Sequence, residues 1–184
     1  MEALACGIRE MVDGDDHVRA RIGQVEYLGH MLIDGGVPIV LPIGGHGVYL
    51  NARAILPNVA QDDLPAQALA AAIYLDSGVR TMERGIVSAG RDPDTGENRH
   101  PRLELVRLTL PRRVYTQSHM EVTAESVISV CSHADEIGGL AFTDEPDDLR
   151  FFLARFRPLP VPAKSTIGVP DRVLAKPLPV ATGG

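Results

Sequence analysis

Arg107 lies in a short stretch, ELVRLTL at 104–110, that alternates as a β-strand does. Successive side chains of a strand point to opposite faces, so Arg107 shares a face with Thr109, while Val106 points the other way. A guanidinium held on a strand presents a rigid fork of N–H donors that matches the two oxygens of a carboxylate. Carboxylate binding is therefore one interpretation of Arg107. The other is a structural salt bridge with Glu104 or another acid.

Arg84, in MERGI, is a lone arginine at the end of a predicted strand, and such residues are usually solvated surface residues. Phe151 and Phe152, in LRFF, are by default core aromatics of a strand. His46, in GGHG, is flanked by glycines, which more often indicate a tight turn than a functional histidine. Taken by themselves, these residues favour structural roles.

Several kinds of chemistry have no matching pattern in the chain. The six histidines show neither H-E-x-x-H nor paired Cys/His spacing, so no metal site is predicted. No G-x-S-x-G nucleophile motif occurs, and the glycines at 44–47 do not form a phosphate-binding loop. Two cysteines, Cys6 and Cys131, are too few for a disulfide framework, which favours a reducing compartment.

The charge distribution indicates the class of partner. The net charge is -6, and the arginines are scattered, which argues against a nucleic acid or an anionic membrane as partner. A small molecule or another protein is favoured. No apolar run approaches the roughly 20 residues of a membrane span, and Glu2 and Arg9 interrupt what would be a signal peptide. We predict a cytoplasmic protein.

Hydrophobic periodicity and turn residues predict the secondary structure. The predicted helices cover 1–12, 16–32 with Asp15 or Asp16 as N-cap, 65–77, and 119–136 with Thr116 or Ser118 as cap. Extended segments are predicted at 37–41, 45–51, 79–88, 103–110, 140–144 and 149–156, and a turn at 92–98.

The order of these elements predicts an α/β fold with α+β character. Helices and strands interleave without strict βαβ regularity, which indicates a mixed or mostly antiparallel sheet with helices packed on it. One domain should span 1–157. Six prolines and no periodicity from Pro158 onward predict a disordered tail over 158–184. Because the helical pattern begins at Met1 without a cap, we interpret the chain as a fragment.

Five motifs together resemble a known family. They are GGH at 44–46, PAQALAA at 65–71, MERGIVSAGRDPDTGEN at 82–98, ELVRLTLPRRVYT at 104–116 and LRFFLARF at 149–156. These motifs resemble the carboxy-terminal part of the β-eliminating lyases, which include tyrosine phenol-lyase and tryptophanase. Those enzymes use pyridoxal 5'-phosphate (PLP) to cleave the side chain from an aromatic amino acid. The resemblance implies the small domain of a fold-type-I PLP enzyme with an adjoining piece of the large domain.

The resemblance also implies roles for six substrate-binding residues. Arg107 matches the arginine that holds the α-carboxylate of the substrate. Arg84 matches the arginine that donates to the phenolic oxygen in tyrosine phenol-lyases, where tryptophanases have an aliphatic residue. Phe151 follows Leu-Arg as in the phenol-lyases, whereas tryptophanases have histidine there. The remaining positions expected near the substrate are Met82, Phe152 and His46.

A PLP lyase holds its cofactor as a Schiff base on a lysine. The two lysines here, Lys164 and Lys176, both lie in the proline-rich tail. We therefore predict a carboxy-terminal fragment of a carbon–carbon lyase that converts L-tyrosine to phenol, pyruvate and ammonia. By itself it should be inactive, with no catalytic or cofactor-binding residue.

Two alternatives remain open: a tryptophanase, which releases indole, and a non-catalytic truncated remnant. The expected partners are an aromatic amino acid, an amino-terminal companion chain that would supply the missing part, and further copies of the protein, since the resemblance implies a homo-oligomer.

Overall fold

The computed structural model describes residues 2–161 of the 184-residue chain. Its helices are α1 (Glu2–Asp13), α2 (Asp16–Asp34), α3 (Ala52–Ile55), α4 (Pro65–Ser77), α5 (Ile86–Ala89), α6 (Gln117–Ser132) and α7 (Arg150–Leu153). Its strands are β1 (Gly47–Asn51), β2 (Met82–Arg84), β3 (Leu105–Thr109), β4 (Leu140–Asp144) and β5 (Arg155–Pro158). Single 3-10 turns lie at Gln61–Asp63 and Ala134–Glu136.

An antiparallel three-stranded sheet, in the order β1-β3-β2, forms the centre of the fold. One face of this sheet is buried, with Val48 opposite Leu108 and Leu50 opposite Val106. Helices α2, α4 and α6 supply much of the remaining core, through Val25, Leu28, Leu32, Leu69, Ile73, Ala124 and Val127. The predicted antiparallel sheet with packed helices is therefore confirmed.

A second, smaller cluster surrounds the β4–β5 hairpin. Leu64, Ile86 and Val87 are buried in it, and Phe142 and Phe156 pack against them with ring centroids 5.0 Å apart. This cluster lies beside α5 and α7, so it supports both single-turn helices.

The four long helices form where the sequence predicts them. Pro65 begins α4, as its fixed φ favours, and Gly78 ends it with a φ of 74°. Thr116 precedes α6, and its backbone N–H donates to His119 Nδ1 over 3.1 Å, which satisfies one of the free donors at the helix start.

Two predicted extended segments are only partly correct. Segment 37–41 is not a strand; it forms one β-bridge, between Ile39 and Leu50, and Pro38 has no N–H to extend a ladder. Segment 79–88 contains only the three-residue strand β2, because the chain turns after Gly85 into α5.

The strand predicted over 149–156 is wrong in its first half. Leu149 has a left-handed φ of 55°, and the chain then forms the single helical turn α7 before β5 begins at Arg155. A short apolar run such as LRFFL fits a buried strand and a helical turn equally well, so periodicity does not separate the two. Phe151 and Phe152 therefore lie on a helix.

The two ends of the described range differ from the core. Helix α1 buries none of its residues, and Leu4, Ile8, Met11 and Val12 are exposed. At the other end, β5 includes Pro158, and the Leu159 N–H donates to Gly139 over 2.9 Å. The rest of the predicted tail, 162–184, lies outside the described residues, so its disorder stays a prediction. None of the helices within 2–161 is long and apolar enough to cross a membrane.

Candidate functional site

The open face of the three-stranded sheet carries the predicted substrate-binding arginines. Arg107, on the central strand, is directly opposite Tyr49 of β1 and Met82 of β2. Arg84 is paired with Leu105 in the neighbouring row. Because Met82 and Arg84 are two residues apart in one strand, and Arg107 pairs with Met82, the three side chains share this face, opposite the hydrophobic core.

A cavity of about 810 Å³ lies beside the β2 edge of this sheet. It brings together four of the six predicted residues: Met82, Arg107, Phe151 and Phe152. Helix α4, the residues just before β2, the end of β3 and the segment after it complete its walls, through Gln67, Tyr74, Arg80, Thr81, Thr109 and Tyr115. This volume is within the range that small-molecule pockets occupy, and the lining combines aromatic rings with a few polar groups.

Arg107 keeps most of its hydrogen-bonding capacity. Its Nη2 donates to the Met82 sulfur over 2.9 Å, and a thioether is a weak acceptor. Its Nε is buried without a hydrogen-bond partner, as is the Thr81 hydroxyl in the same cavity. No ion pair within residues 2–161 includes Arg107. A guanidinium so placed has donors available for an anion.

The acids nearest in sequence bond to other groups. Glu83 accepts from the backbone N–H groups of Val87 and Ser88 over 3.2 and 2.9 Å. Glu104 is fully buried and accepts from Gln61 Nε2 over 3.0 Å. The predicted alternative, a salt bridge between Arg107 and Glu104, is therefore absent from the described part of the chain.

The two buried carboxyl groups lie on either side of Gly85. A Cβ added there would collide with the Glu104 carboxylate and lie 2.7 Å from Glu83 Oε1. Burial raises the pKa of Glu104, and burial together with the nearby Glu104 charge raises the pKa of Glu83 above its usual range. Only glycine leaves room for both acids, which fixes the turn from β2 into α5.

The aromatic wall of the cavity comes from α7. The Phe151 and Phe152 rings stand edge to face, with centroids 5.0 Å apart and planes at 87°. Phe151 also packs against the second hydrophobic cluster, whereas Phe152 is 68% exposed. The prediction that both are core aromatics of a strand is wrong, because a single helical turn directs only Phe151 toward that cluster.

Arg84 and His46 lie outside the cavity lining. Arg84 is exposed on the open sheet face, and the described residues offer it no ion-pair partner. His46 is also exposed, and its Nε2 lies 3.2 Å from the hydroxyl of Tyr49, the residue opposite Arg107. His46 therefore lies in the bend before β1 and also next to a residue that faces Arg107, so both interpretations of His46 stay open.

The sequence analysis assigned no binding role to several cavity residues, among them Tyr74, Arg80, Thr81 and Tyr115. Thr81 adjoins Met82 in sequence, which was a usable signal. Tyr74 and Tyr115 come from a helix and a loop separated by about 40 residues of chain, and only the packing of α4 against β2 and β3 brings them together.

Comparison with known proteins places this arrangement in a family. A sequence model described as "Beta-eliminating lyase" matches residues 3–126, which is more than half of the chain. The chain belongs to the β-eliminating lyase family. The match includes β2, β3 and the arginines of the open face, but it ends before α7.

Curated relatives of this β-eliminating lyase chain match over more of its length. A tyrosine phenol-lyase of Symbiobacterium thermophilum is 63% identical over 159 residues, covering 86% of this chain and 34% of the relative. Similar enzymes are those of Nostoc punctiforme, 62% identical with 85% and 33% covered, and Intrasporangium calvum, 59% identical with 95% and 37% covered. The chain spans about a third of the length of these relatives.

The lyases of this family hold PLP on a lysine, and both lysines of this chain lie beyond residue 161. Residues 2–161 contain no lysine, so they have no amine for PLP. Arg80 and Arg107 in the cavity lining and Arg84 on the open face have no ion-pair partner within residues 2–161, and guanidinium groups of this kind suit an anion. The described residues therefore offer donors to an anion but no amine that could form a Schiff base with PLP.

Proposed function

We propose that this chain is the substrate-recognition part of a carbon–carbon lyase of the tyrosine phenol-lyase kind. Arg107 binds the α-carboxylate of the amino acid, and Phe151, Phe152 and Met82 contact its aromatic ring. Arg84 donates to the phenolic oxygen of tyrosine, and His46 supports the sheet edge through Tyr49.

The observation that carries this proposal is the state of Arg107. A half-buried guanidinium with an unpaired Nε normally has an acidic partner, and here the described residues provide none. The cavity beside it has aromatic walls, which suits a ligand with a carboxylate at one end and a ring at the other.

Tyrosine is favoured over tryptophan by the residue at position 84 and by the names of the relatives. Arg84 offers a donor to a phenolic oxygen, and indole has no acceptor at that place. The related proteins that share 51–63% of their residues with this chain are named tyrosine phenol-lyase. Tryptophanase is the second candidate, since the aromatic wall suits either ring.

The whole reaction requires groups from outside the described residues. PLP, when bound, supplies the electron sink that such a lyase needs. The relatives are about three times as long as the matched region. We propose that the cofactor is held by polypeptide beyond these residues, in a companion chain or in a longer form of the protein. We also propose that the assembled enzyme acts in the cytoplasm. Homo-oligomer formation is proposed from the family alone.

Reconstitution tests the proposal. The chain is mixed with, or fused to, the other two thirds of the Symbiobacterium relative, and assembly is measured by size-exclusion chromatography. Phenol release from L-tyrosine is then compared with indole release from L-tryptophan. We expect phenol release to exceed indole release.

Two other outcomes would contradict the proposal. Preferential indole release would assign the chain to the tryptophanases. An assembled, PLP-loaded complex that releases neither product would indicate a remnant without catalytic competence.

The chain alone provides a separate test of cofactor binding. Incubated with PLP, it should show no stoichiometric imine absorption band, because residues 2–161 lack a lysine. A band that disappears on substitution of Lys164 or Lys176 would show that the chain holds the cofactor itself.

A further inference from the structure

Arg150, the first residue of α7, is a buried arginine that the substrate site does not use directly. It is 8% exposed, and arginines are rarely so buried unless they are paired. Its Nη2 donates to Asn98 Oδ1 over 2.8 Å, its Nη1 lies 3.1 Å from Glu145 Oε1, and its guanidinium stands 4.7 Å from the centre of the Phe142 ring. These contacts come from two parts of the chain, Asn98 at the end of the turn at 92–98, and β4 with the residue that follows it.

The partners of Arg150 are themselves held in place. Arg91 binds both oxygens of Glu145, over 2.8 and 2.6 Å, in the bidentate geometry that fixes a carboxylate most firmly. Arg91 also donates to the Gly96 carbonyl over 2.7 Å and forms a β-bridge with Asn98. The turn at 92–98, the end of β4 and the start of α7 are thereby joined in one network.

Helix α7 is held by contacts outside itself, those of Arg150 in this network and the packing of Phe151 against the second hydrophobic cluster. It is a single turn, and so short a helix is not stable by itself in water. Arg150 is its one buried residue, since Phe151 is half-buried and Phe152 is 68% exposed. The two aromatic residues that line the cavity therefore extend from a helical turn whose buried anchor is Arg150.

We propose that Arg150 is a positioning residue that holds the Phe151–Phe152 pair against the cavity containing Arg107. Through Asn98 and Glu145 it couples the aromatic wall to the turn at 92–98. That Phe151 and Phe152 bind a substrate ring rests on the function proposed above. That Arg150 anchors α7 does not depend on that function.

The test uses fluorine NMR of the full chain, with all phenylalanines replaced by a fluorinated analogue. The chain has four phenylalanines and no tryptophan. Phe151 and Phe152 report on the cavity, while Phe156 reports on the hairpin. Each signal is assigned by replacing one phenylalanine with leucine. Arg150→Gln is compared with the matched control Arg155→Gln, which removes an arginine that is 80% exposed on the next element.

In Arg150→Gln we expect the Phe151 and Phe152 signals to shift and broaden, while the Phe156 signal stays near its wild-type position. Phe142 contacts Arg150 directly, so its signal should shift as well. Arg155→Gln should leave the Phe151 and Phe152 signals unchanged. Wild-type positions for both signals in Arg150→Gln would overturn the proposal.

A second variant keeps the test decisive if Arg150→Gln does not fold. Asn98→Ala removes one contact of Arg150 and leaves the arginine in place. Displaced Phe151 and Phe152 signals in this variant support the anchoring role, and unchanged signals contradict it.

Titration with phenol separates this proposal from the proposed function. In the wild type, phenol should shift the Phe151 and Phe152 signals, and Asn98→Ala should need a several-fold higher phenol concentration for half the shift. If phenol shifts neither signal in the wild type, the ring-binding function of the cavity fails. The ligand-free spectra still decide whether Arg150 positions α7.

Discussion

The two faces of the three-stranded sheet are built from the same strands and differ in almost every property. The core face carries Leu50 and Val106, which are fully buried, together with the buried acid Glu83. The open face carries Arg107 and Arg84. Acidic side chains thus lie inside the sheet's packed side and basic ones on its open side.

This separation explains why Arg107 has free donors. Glu83 lies between Met82 and Arg84 in sequence, yet strand alternation directs it away from both. Its carboxylate is then occupied by the backbone N–H groups at the start of α5. Strand geometry therefore keeps the nearest acids from neutralising the arginines of the open face.

Substitution on the core face should affect stability most. Leu50→Ala removes a fully buried side chain and leaves a cavity in the core, so we expect a loss of about 2 to 5 kcal/mol in the free energy of unfolding. Urea titration followed by circular dichroism measures this loss. The neighbouring Tyr49→Ala, on the open face, should lose clearly less. Equal losses would show that the two faces do not differ in this way.

Substitution of Arg107 should lower activity strongly and the free energy of unfolding only slightly. In the reconstituted enzyme, Arg107→Ala removes a charge-assisted carboxylate contact worth about 2 to 4 kcal/mol, or roughly 30- to 1000-fold in kcat/KM. The free energy of unfolding of the chain should change by less than about 1 kcal/mol, since Arg107 has one weak acceptor within the described residues. Arg102→Ala, at an exposed arginine in the same segment, is the matched control. Retained activity in Arg107→Ala would return this residue to a structural role.

Substitution of Arg84 tests whether the second arginine of the open face acts on the substrate ring. In the reconstituted enzyme, Arg84→Leu should lower phenol release from L-tyrosine roughly 10- to 150-fold, the value of a charge-assisted hydrogen bond of about 1.5 to 3 kcal/mol. Cleavage of an S-alkyl cysteine, whose leaving group needs no such donor, should fall far less. Equal losses on both substrates would mean that Arg84 supports the fold.

The sequence predicts the long elements and the face of Arg107 well. Capping residues and 3.6-residue periodicity define α2, α4 and α6, and alternation defines β3. The pairing of Arg107 with both Tyr49 and Met82 was not predictable, because register depends on contacts between strands distant in sequence. The helical turn at Arg150 was missed for a similar reason: its buried anchor contacts Asn98 and Glu145, and neither contact leaves a local pattern.

The smallest predicted effect concerns the acids of the core side and depends on pH. Burial raises the pKa of Glu104 above its usual value of 4.5, so the folded chain keeps a proton at pH values where the unfolded chain has lost it. This proton stabilises the fold fully below pH 4.5, and its contribution is lost as the pH rises through the higher pKa of the folded state. Glu104→Gln has no such titration. Whatever its effect at pH 4, its stability relative to the wild type should therefore improve as the pH is raised to 8.

Urea titrations at a series of pH values measure this difference, and Glu125→Gln, at an exposed acid on α6, is the control that should show no drift. Burial also raises the pKa of Glu83, and the like charge of Glu104 repels its carboxylate. The stability of Glu83→Gln relative to the wild type should therefore also improve as the pH rises. If the stability of Glu104→Gln relative to the wild type instead falls as the pH rises, the ionised Glu104 is stabilised in the fold. The Glu104 carboxylate would then be attracted to a positive group, and the two faces of the sheet would not separate acidic from basic side chains as described above.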